Sequence, residues 1–321
     1  MAHRSRIITL IIKITVSSVL LFILISRTGM ERLIQAIREV SLPTFVFSAL
    51  LYISSIFISS VRWRLLLMKS MELKGLFSLY LIGSFFNNLM PGIIGGDAVK
   101  AYYLNKALKE RYKERETEDS SPINHHSSLS VASVFMDRYI GFVSLLIIAI
   151  IAYPFGFGIF RGSYIEWVLP IIIAAFIIGS SILFVFRIGN RIRFMTGFYE
   201  YLKSYRGEKG MLLKCLILSL ILQLVIICSA YVISKGVGID VPFYFLSIII
   251  PIISVISSMP ISISGLGVRE ASFILLLSPL GISHAQAITL SLAWFLSFAA
   301  GSLPGFFLYI RRKAESRPHP R

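Results

Sequence analysis

Apolar runs of about 20 residues, the length a helix needs to cross hydrocarbon, recur along this chain. They read as spans over 7–26, 42–61, 131–153, 167–186, 211–234 and 285–310. Only 15% of the residues are charged and the mean hydropathy is +0.79, where a soluble domain would carry about 25% charge. The expected fold is therefore all-α: a polytopic membrane helix bundle of about six full spans plus two re-entrant broken-helix hairpins of opposite entry. Residues 1–321 are expected to form a single transmembrane domain. The opening MAHRSRIITLIIKITVSSVLLFILIS reads as a retained span, because its apolar run is too long for a signal peptide and no clear cleavage site follows.

The hairpins are expected where two further apolar stretches, 76–104 and 243–280, are interrupted. The first carries LMPGIIGGDAVK, in which Pro91, Gly92, Gly95 and Gly96 precede Asp97. The second carries SMPISISGLGVRE, in which Pro260, Gly265 and Gly267 precede Arg269 and Glu270. Proline cannot extend a helix from inside, and glycine opens dihedrals closed to other residues. Irregular backbone survives at membrane depth only when buried in protein or beside a wet cavity, because hydrocarbon satisfies no hydrogen bond.

Charge sets the expected topology. The net charge is +16, with Lys and Arg concentrated near the N-terminus, in 62–74, 100–115 and 187–214, and after 310. By the positive-inside rule these segments face the cytoplasm, as do both termini. Stretch 76–104 then has to enter and return on the cytoplasmic side. Stretch 243–280 is flanked by the weakly basic 235–242 and the uncharged 278–283, so it enters from the other face. Opposed broken helices of this kind build midplane sites in secondary transporters. Segment 105–130 is expected as a polar cytoplasmic loop holding His125 and His126, and 34–40 as a short amphipathic piece. The basic charge is assigned to topology and lipid headgroups, with no nucleic-acid partner.

The polar residues at the breaks allow more than one reading. Asp97 either caps the following helix or joins a cavity, binding a cation or a basic partner. Asn87 and Asn88, one turn before the first break, either glue helices together or touch ligand. Ser257, Ser258, Ser262 and Ser264 surround Pro260, satisfying freed backbone groups or lining a site. Arg269 offers the guanidinium fork that matches phosphate, and Glu270 could hold it or cap the next helix. Asp137 and Arg138 fall within span 131–153, with Arg138 roughly 10 Å deep. Either they are buried and functional or Arg138 snorkels to the interface. A pairing of Arg138 with Asp97 is expected if both approach from the cytoplasmic side. A lipid phosphate belongs against helix-terminal amides and Arg or Lys rather than against Asp97. GSLPG at 301–305 reads as a helix-packing motif. Cys215 and Cys228 lie roughly 20 Å apart on one helix, too far for a disulfide. No catalytic group, cofactor or metal is expected.

NNLMPGIIGGDAVKAYYL, DRYIGFVSLL and PISISGLGVREASFILL resemble the signature blocks of the lysylphosphatidylglycerol synthase transmembrane-region family. That family includes the flippase part of the multiple peptide resistance factor. The resemblance implies movement of a lipid between leaflets of the cytoplasmic membrane: an anionic or aminoacylated phospholipid, or a polyprenyl-linked sugar lipid. The sequence ends at RRKAESRPHPR with no transferase domain, so synthesis of lysylphosphatidylglycerol is not expected of it. The substrate-binding residues implied are Asn87, Asn88, Asp97, Asp137, Arg138, Ser262, Ser264, Arg269 and Glu270. Two other functions stay open: a membrane-embedded transferase acting on a lipid-linked substrate, and a non-transporting scaffold for a lipid or glycan synthesis complex. Open partners are a separate synthase or glycosyltransferase and a second copy of the chain.

Overall fold

The computed structural model describes residues 40–68, 71–89, 94–113, 123–162, 165–184, 203–258, 262 and 265–315, with isolated positions at 31, 34 and 38. The first expected span, 7–26, and the hairpin residues Pro91, Gly92, Pro260 and Ser264 lie outside them. Among the described residues every regular element is helical: α1 (Leu42–Leu66), α2 (Leu73–Leu89), α3 (Ile94–Lys113), α4 (Ile123–Phe160), α5 (Ile165–Phe184), α6 (Lys209–Gly236), α7 (Phe243–Ser258), α8 (Val268–Leu277) and α9 (His284–Glu315). Five are long and apolar enough to cross a membrane: α1, α4 from Leu129 onward, α5, α6 and α9 up to Arg312.

Two expectations of local structure are corrected. Segment 105–130 is not all loop, since α3 runs to Lys113 and α4 begins at Ile123. The run KALKE is rich in helix formers and adds a Lys106–Glu110 pair one turn apart, so the helix continues past the apolar stretch. The connection expected from Pro154 onward is also helical, because α4 passes through Pro154 to Phe160. Neighbouring helices make such a proline tolerable in a membrane bundle.

Both interrupted stretches double back as antiparallel helix pairs. In the first, α2 and α3 close on each other around the break. The Gly96 N–H donates to Asn87 Oδ1 at 2.9 Å, and a Cβ on Gly83 would meet the Lys100 chain at 2.5 Å. A Cβ on Gly96 would run into the Gly83 carbonyl oxygen, which is backbone and cannot swing away. Gly96→Ala is accordingly expected to destabilise the protein by about 1–3 kcal/mol through overpacking, measured by denaturant titration of purified protein in micelles. In the second pair, Gly265 and Gly267 adopt φ of +75° and +81°, a region other residues enter at a cost. They turn the chain so that α8 returns along α7, with Gly265 against the Ser257 side chain.

The hairpins enter from opposite ends. The open end of the first packs Leu76, Leu79, Leu104 and Leu108 into an apolar cluster with Trp63, Leu66 and Cys215. The open end of the second packs Phe245, Ile249, Phe273 and Leu277 into a different cluster with Phe160, Ile227 and Ala287. Between these clusters the same helices carry a polar layer. On α6, Ser219 and Gln223 sit roughly 15 and 21 Å along a helix of 28 residues, near its middle. Close helix contact frames that layer. Gly301 of α9 lies against the Ala49 carbonyl and the Tyr52 ring, and Gly305 against the Leu81 backbone. The GSLPG motif therefore serves packing, as small residues do in membranes.

Candidate functional site

The polar layer contains a cavity of about 340 Å³, within the range of about 300–1,000 Å³ usual for small-molecule sites. It lies between the hairpins. The first contributes Ser84, Asn87 and Asn88, the second Ser254, Ser257, Ser258 and Arg269, and α4 adds Asp137 and Arg138.

Arg138 presents its guanidinium to this space, with 40% of its side chain exposed. Behind it stands Asp97 of α3. Arg138 Nε donates to Asp97 Oδ2 at 2.7 Å and Nη2 to Oδ1 at 3.1 Å, a bidentate fork that fixes both planes. The pairing expected between these residues is thus made. Asp97 is not an N-cap: α3 begins at Ile94, and both carboxylate oxygens are taken by cations. Lys100, one helical turn on, approaches Asp97 Oδ1 at 3.0 Å and lies 4.0 Å from the centre of the Tyr80 ring.

Asp137, fully buried, anchors a second group. Arg62 Nε donates to its Oδ1 at 2.8 Å, and the Tyr80 hydroxyl donates to its Oδ2. Arg62 also donates to the Ser219 hydroxyl. Gln223 Nε2 donates to the Gly141 carbonyl at 3.2 Å. Helices α1, α2, α4 and α6 are thereby tied to one carboxylate, and α3 joins through Lys100, 4.0 Å from Asp137 Oδ2.

Arg269 enters from the far side. Its Nη2 donates to Glu270 Oε1 at 2.6 Å and its Nε to the Ser291 hydroxyl at 3.0 Å. Glu270 also accepts the Gly267 N–H on Oε2 at 2.6 Å. It therefore performs both tasks open to it in the sequence, holding Arg269 and capping α8.

Of the residues singled out in the sequence, Asn87, Asn88, Asp137, Arg138, Ser257, Ser258 and Arg269 line the cavity. Asp97 and Glu270 stand behind it, each clamping one of its arginines. Ser262 is buried, its hydroxyl without a partner among the described residues, and it is not among the residues that line the cavity. Asn87 and Asn88 also hold helices together, the first on Gly96 N–H and the second on the Ser302 hydroxyl at 3.0 Å. Sequence reasoning missed Arg62, Tyr80, Lys100, Ser219 and Gln223. Arg62 and Lys100 were counted among the basic cytoplasmic segments, yet only 4% and 1% of them is exposed. The i,i+3 spacing of Asp97 and Lys100 was the available signal for the latter.

The charges do not cancel. Arg62, Lys100, Arg138 and Arg269 face Asp97, Asp137 and Glu270. Among the described residues of the site, one positive charge is left without a counter-charge. A buried charge of this kind is costly in a membrane interior unless something pairs with it, so the cavity is suited to an anion.

The family described as lysylphosphatidylglycerol synthase TM region matches residues 10–305. A protein of Methanocaldococcus jannaschii named UPF0104 membrane protein MJ1595 is 32% identical over 106 residues, covering 30% of this chain and 32% of that protein. The aligned part thus spans about a third of that relative's length.

Proposed function

Because the chain belongs to the lysylphosphatidylglycerol synthase TM-region family, we propose that this multi-pass membrane protein is a lipid transporter that carries a phospholipid headgroup between leaflets. The observation that carries the reading is the cavity itself: Arg138 of α4 and Arg269 of the second hairpin flank a space between the hairpins where, among the described residues, cations outnumber acids by one. A lipid phosphate supplies the missing negative charge. It accepts hydrogen bonds from guanidinium forks that Asp97 and Glu270 hold in place. The acyl chains stay in the bilayer while the headgroup crosses through the cavity, where counter-charge and hydrogen bonds offset the desolvation of the phosphate. Alternating exposure would come from the hairpins rocking against the bundle. In this reading the protein moves lipid without altering it, lies in the cytoplasmic membrane, and keeps both termini on the cytoplasmic side.

The test is reconstitution of the purified chain into phosphatidylcholine liposomes bearing tail-labelled phosphatidylglycerol. Translocation is expected well above that of protein-free vesicles, with the lipid recovered chemically unchanged. Rates equal to protein-free vesicles across several anionic lipids would overturn the proposal. A new lipid product would point instead to the transferase reading.

A further inference from the structure

The chemistry of the cavity wall narrows the headgroup. Resting on the transport reading of this site, we infer that the cargo is a phosphodiester lipid with a single negative charge and a neutral, hydroxyl-rich headgroup, rather than an aminoacylated, cationic one. The first argument is the engagement of every carboxylate. Asp97 is shared by Arg138 and Lys100, Asp137 by Arg62 and Tyr80, and Glu270 by Arg269, Ser291 and the Gly267 amide. Among the described residues of the site an ammonium on the headgroup would find no acid without a partner, and would add to a site where cations already outnumber acids by one.

Aromatic faces could in principle receive a cation instead. Several of the rings on this wall are already engaged. Arg269 already lies over Phe295, its guanidinium carbon 4.3 Å from the ring centre. Tyr52 stacks on Phe298 at 4.2 Å, and Phe298 tilts onto Trp294 at 4.8 Å. The aromatic lining offers apolar surface suited to the C–H groups of a glycerol or sugar.

Neutral hydrogen-bonding groups cover the rest. Ser84, Asn87, Asn88 and Gln223 line the cavity, and they both donate and accept, as hydroxyls require. Ser257 lines it too, and its buried hydroxyl oxygen has no partner among the described residues. Such a group is costly to leave unpaired, and a headgroup hydroxyl would satisfy it. One surplus charge matches a phosphodiester monoanion better than a pyrophosphate.

The experiment is lipid retention by the purified full-length chain in detergent, read by native mass spectrometry. Three probes compete at equal concentration: phosphatidylglycerol, lysyl-phosphatidylglycerol, and a polyprenyl phosphoryl hexose. At least one neutral-headed phosphodiester is expected to be retained about tenfold or more over lysyl-phosphatidylglycerol, the scale of one like-charge contact in a partly screened site. Which of the two wins identifies the source as glycerophospholipid or lipid-linked sugar. Ser257→Asp cancels the surplus charge and is expected to narrow or invert the preference. Retention of lysyl-phosphatidylglycerol equal to or above both others overturns the inference, as does failure to retain any probe. The readout is binding, so a chain with the expected preference that moves nothing across vesicles would defeat the transport reading alone.

Discussion

Asp137→Asn is expected to destabilise the protein by about 3–5 kcal/mol, the range measured when one partner of a buried ion pair is removed. Arg62, Lys100 and Tyr80 all converge on this carboxylate, and Arg62 and Lys100 are almost wholly buried. With the negative charge gone, the Arg62 guanidinium keeps neutral partners such as the Ser219 hydroxyl but loses its counter-charge. Denaturant titration of purified protein in micelles gives the value. The same logic makes a compensated variant informative. Arg62→Met with Asp137→Leu removes charge and counter-charge together, and is expected to be markedly more stable than Asp137→Asn. A double variant no better than the single one would show that the helices depend on the ion pair for more than neutrality.

Arg138→Gln is expected to behave in the opposite way, leaving the fold largely intact while slowing translocation about 10- to 150-fold, the equivalent of about 1.5–3 kcal/mol for hydrogen bonds to a charged group. Its partner Asp97 retains Lys100 at 3.0 Å, so no carboxylate is stranded. With 40% of the side chain exposed, the desolvation lost or gained is modest. What disappears is the surplus positive charge and one phosphate fork. Arg138→Lys keeps the charge and loses the fork, and is expected to fall between Gln and wild type. The measurement is the vesicle assay at matched reconstitution, beside a melting curve. Wild-type translocation by Arg138→Gln would remove Arg138 from the transport path.

The contrast between these aspartate and arginine variants reflects what could and could not be read from sequence. Asp137–Arg138 and Arg269–Glu270 stood out because each places charge inside an apolar run, where it is expensive without a purpose. The two hairpins were legible for a related reason: proline and paired glycines interrupt stretches whose flanking charge fits re-entry. Arg62 and Lys100 were not. Each sits at the edge of an apolar run, where a basic residue ordinarily marks a cytoplasmic segment. Only the folded chain reveals that α1 carries Arg62 onto Asp137 and that α3 turns Lys100 inward over Tyr80. Tyr80, Ser219 and Gln223 gave no local signal, because single polar residues are common in the interiors of membrane bundles as helix-to-helix contacts. Asp97 was visible, yet its role was settled by tertiary partners rather than by its place near a helix start.

The central claim is that the space between the hairpins holds a lipid phosphate. It is tested most directly by determining the structure of the chain in nanodiscs containing phosphatidylglycerol. The account predicts density for a phosphate within hydrogen-bond distance of Arg138 or Arg269, with acyl chains leading out between helices. Ordered lipid around the bundle and a cavity holding only water, under conditions where the protein translocates that lipid, would contradict it.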